Sequence, residues 1–168
     1  MTERQGLSEG RTFRVLFICM GNICRSPTAE AVFKHYVAQA GLQNVILSDS
    51  AGTHDYHIGE PPDPRAREAA QRRSYDLESL RARRVTVKDF AAFDLVLAMD
   101  EHNLSVLRRH CLPEYAHKLR LFLEFGKSGV REVPDPYYGG PQGFESVLDL
   151  VEDAAQGLLR HIRSHLLD

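Results

Sequence analysis

Cysteine is scarce, net charge is close to zero, and no long apolar run appears. The 168 residues hold three cysteines, 21 Lys and Arg against 23 Asp and Glu, and a formal net charge of -2. An odd, low cysteine count fits a reducing, cytoplasmic compartment. Without an excess of basic residues, nucleic acid is not expected as a partner. No apolar stretch is long enough to cross a bilayer, so membrane insertion is not expected. Met1 to Gly10 is polar and lacks the apolar heart of a secretory signal. Residues 1–11 therefore read as a flexible tail and 12–168 as one α/β domain. There is no internal repeat and no low-complexity segment. Eight histidines are scattered, and no His, Cys or Asp cluster has ligand spacing, so neither metal nor cofactor is expected.

What is present is concentrated in one stretch, Val15 to Glu30. It begins as the apolar run Val15-Leu16-Phe17-Ile18, the pattern of a buried parallel strand. It ends as Ser26-Pro27-Thr28-Ala29-Glu30, a helix start. Ser26 is the expected N-cap, Pro27 the first helical residue, and Glu30 a first-turn acid. Between them lies a loop with Cys19 at its entrance and Arg25 at its exit, with five residues separating the two. Such a loop turns backbone N–H groups inward, and the helix adds its positive end, which makes an anion site. Gly21 and Asn22 tolerate the backbone angles it needs. Arg25 supplies a planar fork of donors suited to phosphate. Surroundings that hold a phosphate dianion also favour a thiolate, so Cys19 is expected to be nucleophilic and to form a phosphocysteine.

The run Cys19-Met20-Gly21-Asn22-Ile23-Cys24-Arg25-Ser26-Pro27-Thr28-Ala29-Glu30 resembles the low-molecular-weight protein tyrosine phosphatases. The resemblance extends from about Arg14 to near the C-terminus. It implies a cysteine-dependent phosphoric monoester hydrolase that cleaves phosphotyrosine and releases inorganic phosphate. Its partner would be a phosphotyrosine-bearing protein, with a tyrosine kinase as one candidate.

The rest of the chain reads as alternating strands and helices. Strands are expected at Thr12 to Cys19, Val45 to Ser48, Phe93 to Met99 and Leu119 to Leu123. Helices are expected at Pro27 to Gly41, Pro64 to Tyr75, Thr86 to Phe90, Glu101 to His110 with Asp100 as cap, and from Gln142 onward. That alternation predicts a small doubly wound parallel sheet. The strand order 2-1-3-4 is what the resemblance implies. Ser50 to Pro64 reads as a loop beyond a strand end, placing Asp55 and Tyr56 near the Cys19 loop. The family has an aromatic wall residue at the place of Tyr56. The basic segment Arg65 to Lys88 reads first as a solvated face and second as a patch for acidic substrate segments.

A departing aryl oxide needs a proton, typically worth about 10²–10⁴-fold in rate. Asp135, held between Pro134 and Pro136, is the candidate acid, and the family's Asp-Pro-Tyr-Tyr motif matches it directly. Asp55 and Asp100 are weaker candidates. The loop N–H groups of Met20, Gly21, Asn22, Ile23 and Cys24 are expected to hold phosphoryl oxygens with Arg25. Ser26 is expected to donate to the Cys19 sulfur as well as to cap. Tyr137 and Tyr138 are expected to wall the pocket. Ile23 stands where protein-arginine phosphatases tend to carry Thr, which favours phosphotyrosine. By the resemblance, Cys24 is either a buried filler or a redox partner of Cys19. Cys111 reads as structural. Leu80 stands where many members have a His that braces the loop Asn, so different bracing and slower turnover are expected. The rivals are an arsenate reductase or protein-arginine phosphatase on the same fold, and a non-catalytic phosphate-binding module. The first needs two further relay cysteines, and only Cys111 is available.

Overall fold

The computed structural model describes residues 12–136 and 140–166. The expected tail, residues 1–11, lies outside them. Four strands form one sheet: β1 (Phe13–Cys19), β2 (Ile46–Gly52), β3 (Leu95–Ala98) and β4 (Leu119–Leu121). Their order is β2-β1-β3-β4, and every pairing is parallel. Among the described residues, five α-helices accompany them: α1 (Arg25–Gln39), α2 (Pro64–Gln71), α3 (Val87–Ala92), α4 (Glu101–His110) and α5 (Gly140–Leu166).

A central parallel strand is covered on both faces, which is why β1 is apolar almost throughout. Val15, Phe17 and Cys19 point into the larger core with Val32 and Phe33 of α1 and Val151 and Leu158 of α5. Leu16 and Ile18 point the other way, against Phe90 of α3 and Leu104 and Leu107 of α4. Because the order turns back between β1 and β3, their C-terminal ends open a crevice at the switch point. Cys19 is the last residue of β1.

Several expected boundaries move for physical reasons. Ser50, Ala51 and Gly52 are strand, not loop, because Phe17, Ile18 and Cys19 pair with them and the Gly52 N–H bonds Arg83 O at 2.8 Å. The helix from Pro64 stops at Gln71, and Ser74 at φ 71° turns the chain back, so that Tyr75 N–H bonds Ala70 O. After Leu121 the chain tightens into a 3-10 turn, Phe122–Phe125, which ends β4 two residues early. The final helix starts at Gly140, ahead of Gln142. Asp100 caps α4 as expected, its Oδ1 accepting the Asn103 N–H at 2.7 Å. Thr86 and Asp89 form a capping box on α3.

α5 is sewn to the turn that follows β4. A Cβ on Gly157 would land on the Phe125 carbonyl. Asp153 accepts the Lys127 and Ser128 N–H groups at 2.8 and 3.2 Å. Gly157→Ala must therefore displace backbone. Overpacking against a rigid neighbour costs about 3 kcal/mol, or a melting-point drop on the order of 10 °C at this size. Calorimetry checks this, and an unchanged melting temperature would contradict the packing described.

Candidate active site

The loop from Met20 to Cys24 joins β1 to α1. Helical geometry begins at Arg25, so Ser26 is not the N-cap. Cys24 occupies that place and makes no side-chain cap. Pro27 is the third helical residue rather than the first. Glu30 lies beyond the first turn and is buried, so it does not serve the helix dipole as expected. The Ser26 hydroxyl is free for other work.

That work is hydrogen-bond wiring beneath the loop. Asn22 sits at φ 59°, a conformation that Asn tolerates better than most residues. Its Oδ1 accepts the Arg83 N–H at 3.0 Å, so its amide protons must go elsewhere. They are donated to Ser26 Oγ at 2.8 Å and Ser50 Oγ at 3.0 Å. Ser50 in turn donates to the buried Glu30 carboxylate at 2.7 Å. Ser26 Oγ, which accepts from Asn22, also lies 3.1 Å from Cys19 Sγ, and to a thiolate the hydroxyl can only donate. The Asn22 N–H reaches the same sulfur at 3.2 Å. Two hydrogen-bond partners thus converge on one sulfur. The loop is thus braced by Ser50, Ser26 and the Arg83 backbone. Leu80 instead packs, half-buried, against the larger core.

Arg25 is 4% exposed and reaches two ways with one nitrogen. Its Nη1 donates to Asp100 Oδ2 at 2.8 Å and to the Val133 carbonyl at 3.0 Å. Burial opposes its charge, but Cys19, Asp100 and Asp135 outweigh burial and leave its pKa raised. The Val133 N–H is held by Met99 O at 2.8 Å. Val133 is therefore clamped on both sides, two residues before Asp135. The guanidinium and the carboxylate-bearing turn are one mechanical unit.

These parts enclose a cavity of about 260 Å³ lined by Cys19, Met20, Gly21, Ile23, Cys24, Arg25, Tyr56 and Asp135. Asn22 and Ser26 lie beneath it, buried. Asp55 is not in the lining and faces Arg84 at 4.0 Å instead. Asp100 is committed to Arg25 and its helix. Tyr137 and Tyr138 lie outside the described residues. Two lining residues escaped the sequence reading, His57 and Asp63. His57 lies over Gly21, where a Cβ would approach its ring to 3.0 Å, and pairs with Glu60 at 3.0 Å. Asp63 caps α2 through the Arg65 N–H at 2.8 Å. A Pro after an Asp is a cap signal that was legible at Asp63-Pro64. Nothing local marks His57.

Burial pushes the Cys24 thiol up to about 12, helped by the negative charges of Asp63, Cys19 and Asp135. Cys24 is thus held as a protonated thiol packed against the core and lining the same cavity as Cys19, and all three cysteines are free thiols. Cys111 stands after the last turn of α4, outside the cavity lining. Much of the basic segment is neutralised: Arg65 pairs with Asp63, Arg67 with Glu78, Arg72 and Arg73 with Glu145, and Arg83 with Asp49 and Asp89. That favours the solvated-face reading over a patch for acidic segments. Among the described residues, no helix is long and apolar enough to cross a membrane, and no group of three or more metal-ligating side chains forms.

Residues 14–166 match the family model described as low molecular weight phosphotyrosine protein phosphatase. A Synechocystis relative is 46% identical over 157 residues, covering 92% of this chain and 99% of its own. The low molecular weight protein-tyrosine-phosphatase of Streptomyces coelicolor is 45% identical, covering 92% and 96%. The crystal structure of a protein tyrosine phosphatase from Entamoeba histolytica superposes with a TM-score of 0.88 at 40% identity, covering 91% and 98%. The four-stranded order, the sulfur at its switch point and these matches agree: the chain belongs to the low molecular weight phosphotyrosine protein phosphatase family.

Proposed function

We propose that the protein hydrolyses phosphotyrosine in protein substrates through a phosphocysteine intermediate. The observation that carries this is Cys19 Sγ, held by two donors, in a cavity that Arg25 and Asp135 also line. Cys19 attacks phosphorus, and a P–S bond forms as the P–O bond to the ring breaks. Asp135 gives its proton to the departing phenolate oxygen. The same carboxylate, now ionised, takes a proton from water as that water attacks phosphorus. The P–S bond breaks, inorganic phosphate leaves, and the thiolate is restored. Arg25 and the inward N–H groups of Met20 to Arg25 hold the equatorial oxygens, where charge is greatest in transit. No step draws on a cofactor.

Ile23 and Tyr56 support an aryl group over a guanidinium one. Tyr56 is 68% exposed, an aromatic face at the rim that stacks on His54 with centroids 5.1 Å apart. A phosphotyrosyl peptide is expected to exceed its phosphoarginyl counterpart in kcat/KM by at least about tenfold, and Ile23→Thr to narrow that gap. Parity in the wild type would favour a protein-arginine phosphatase. Among protein partners, a tyrosine kinase bearing phosphotyrosine is the proposed class. A reducing cytoplasm is the proposed compartment, because an oxidised Cys19 has no nucleophile to offer.

A further inference from the structure

A second concavity lies on the opposite face of the sheet from α1 and α5, between α3, α4 and the strap that follows β2. It has a volume of about 300 Å³, the lower end of the range for small-ligand sites. Val85, Phe90, Val106 and Leu107 line its apolar interior, and Arg84 and His110 stand at its edge. Phe90, Val106 and Leu107 are buried, whereas Val87 beside them is 71% exposed. An apolar hollow with an uncovered valine at its lip is a surface that water solvates poorly.

Among the described residues, the one fixed charge in the lining of this hollow is the Arg84 guanidinium, and no acidic side chain lines it. Arg84 faces Asp55 across a long gap of 4.0 Å. His110 closes α4 after Arg108 and Arg109. We infer that this hollow is a binding site for a small amphipathic carboxylate, its apolar body among Val85, Phe90, Val106 and Leu107 and its anionic end at Arg84. The site is distinct from the catalytic cavity but adjoins its frame. Thr53, which also lines it, donates its backbone N–H to the Cys19 carbonyl at 3.0 Å. A carboxylate at Arg84 competes with Asp55, the neighbour of the rim residue Tyr56.

The test uses the full chain with orthovanadate saturating the catalytic cavity, so that an acid binding there is blocked. 3-Phenylpropionate is titrated against ¹⁵N-labelled protein, with neutral 3-phenylpropionamide as the matched probe. Saturable shifts are expected at the Val85, Phe90 and Leu107 amides. The amide should bind about 5-fold more weakly, the size of one exposed ion pair. Arg84→Ala should bring the acid down to the affinity of the amide. Val106→Trp should abolish both while p-nitrophenyl phosphate turnover shows that the protein is folded. If Val106→Trp does not fold, the Arg84→Ala comparison decides alone. No shifts at these amides, shifts that vanish with vanadate, or equal affinity for acid and amide would overturn the inference.

Discussion

Cys19→Ser is expected to lower kcat by at least about 10⁴-fold, because the nucleophile itself is removed. A serine hydroxyl keeps its proton at neutral pH and offers phosphorus a weak, neutral oxygen in place of a thiolate. The donors that hold the sulfur, the Ser26 hydroxyl and the Asn22 N–H, cannot correct that difference. Phosphate affinity should persist, since Arg25 and its anchor at Asp100 are untouched. The variant is thus expected to bind a phosphotyrosyl peptide and retain it. Wild-type protein quenched in acid during turnover should carry phosphorus on Cys19. A serine variant that turns over p-nitrophenyl phosphate at the wild-type rate, or a quench that never traps phosphorus on sulfur, would reject the phosphocysteine route.

Asp135→Ala is expected to cost about 10²–10⁴-fold in kcat with phosphotyrosyl peptide, the usual worth of a general acid. The loss should depend on the leaving group. p-Nitrophenolate departs with little help, so the defect in forming the phosphocysteine should shrink on that substrate. A series of aryl phosphates then gives a steeper dependence of rate on leaving-group basicity in the variant than in the wild type. Structural collapse would not produce that pattern. Val133, which the Met99 carbonyl and Arg25 hold in place, remains to fix the turn. An equal defect for every leaving group would move the acid role away from Asp135.

Much of this fold and site is legible in short stretches of sequence. The apolar run of β1, the Cys19-to-Arg25 spacing and the cap at Asp100 are local patterns with no competing signal, and these three survive folding unchanged. The Glu101 to His110 helix appears with the expected bounds because cap and periodicity agree there. Where two local signals compete, the sequence misleads. Ser26 has the chemistry of an N-cap, yet its hydroxyl is taken by Asn22 and Cys19, so the helix starts one residue before it. Ser50 to Gly52 look like loop by composition, yet β1 offers them a full ladder of partners.

Two side chains mark where local reading ends. Asp100 shows one carboxylate oxygen to its own helix, which three residues of sequence predict. Its other oxygen meets Arg25, which is 75 positions away and arrives only because β1 and β3 are neighbours. His57 is one histidine among eight in the chain, and only the approach of its loop to Gly21 sets it in the cavity wall. Short-range spacing specified the proposed nucleophile, its arginine and the helix beneath them, since those contacts lie within a few residues. Strand order decided which distant carboxylate steadies the arginine and where the acid turn rests, since those partners meet only after the sheet has closed.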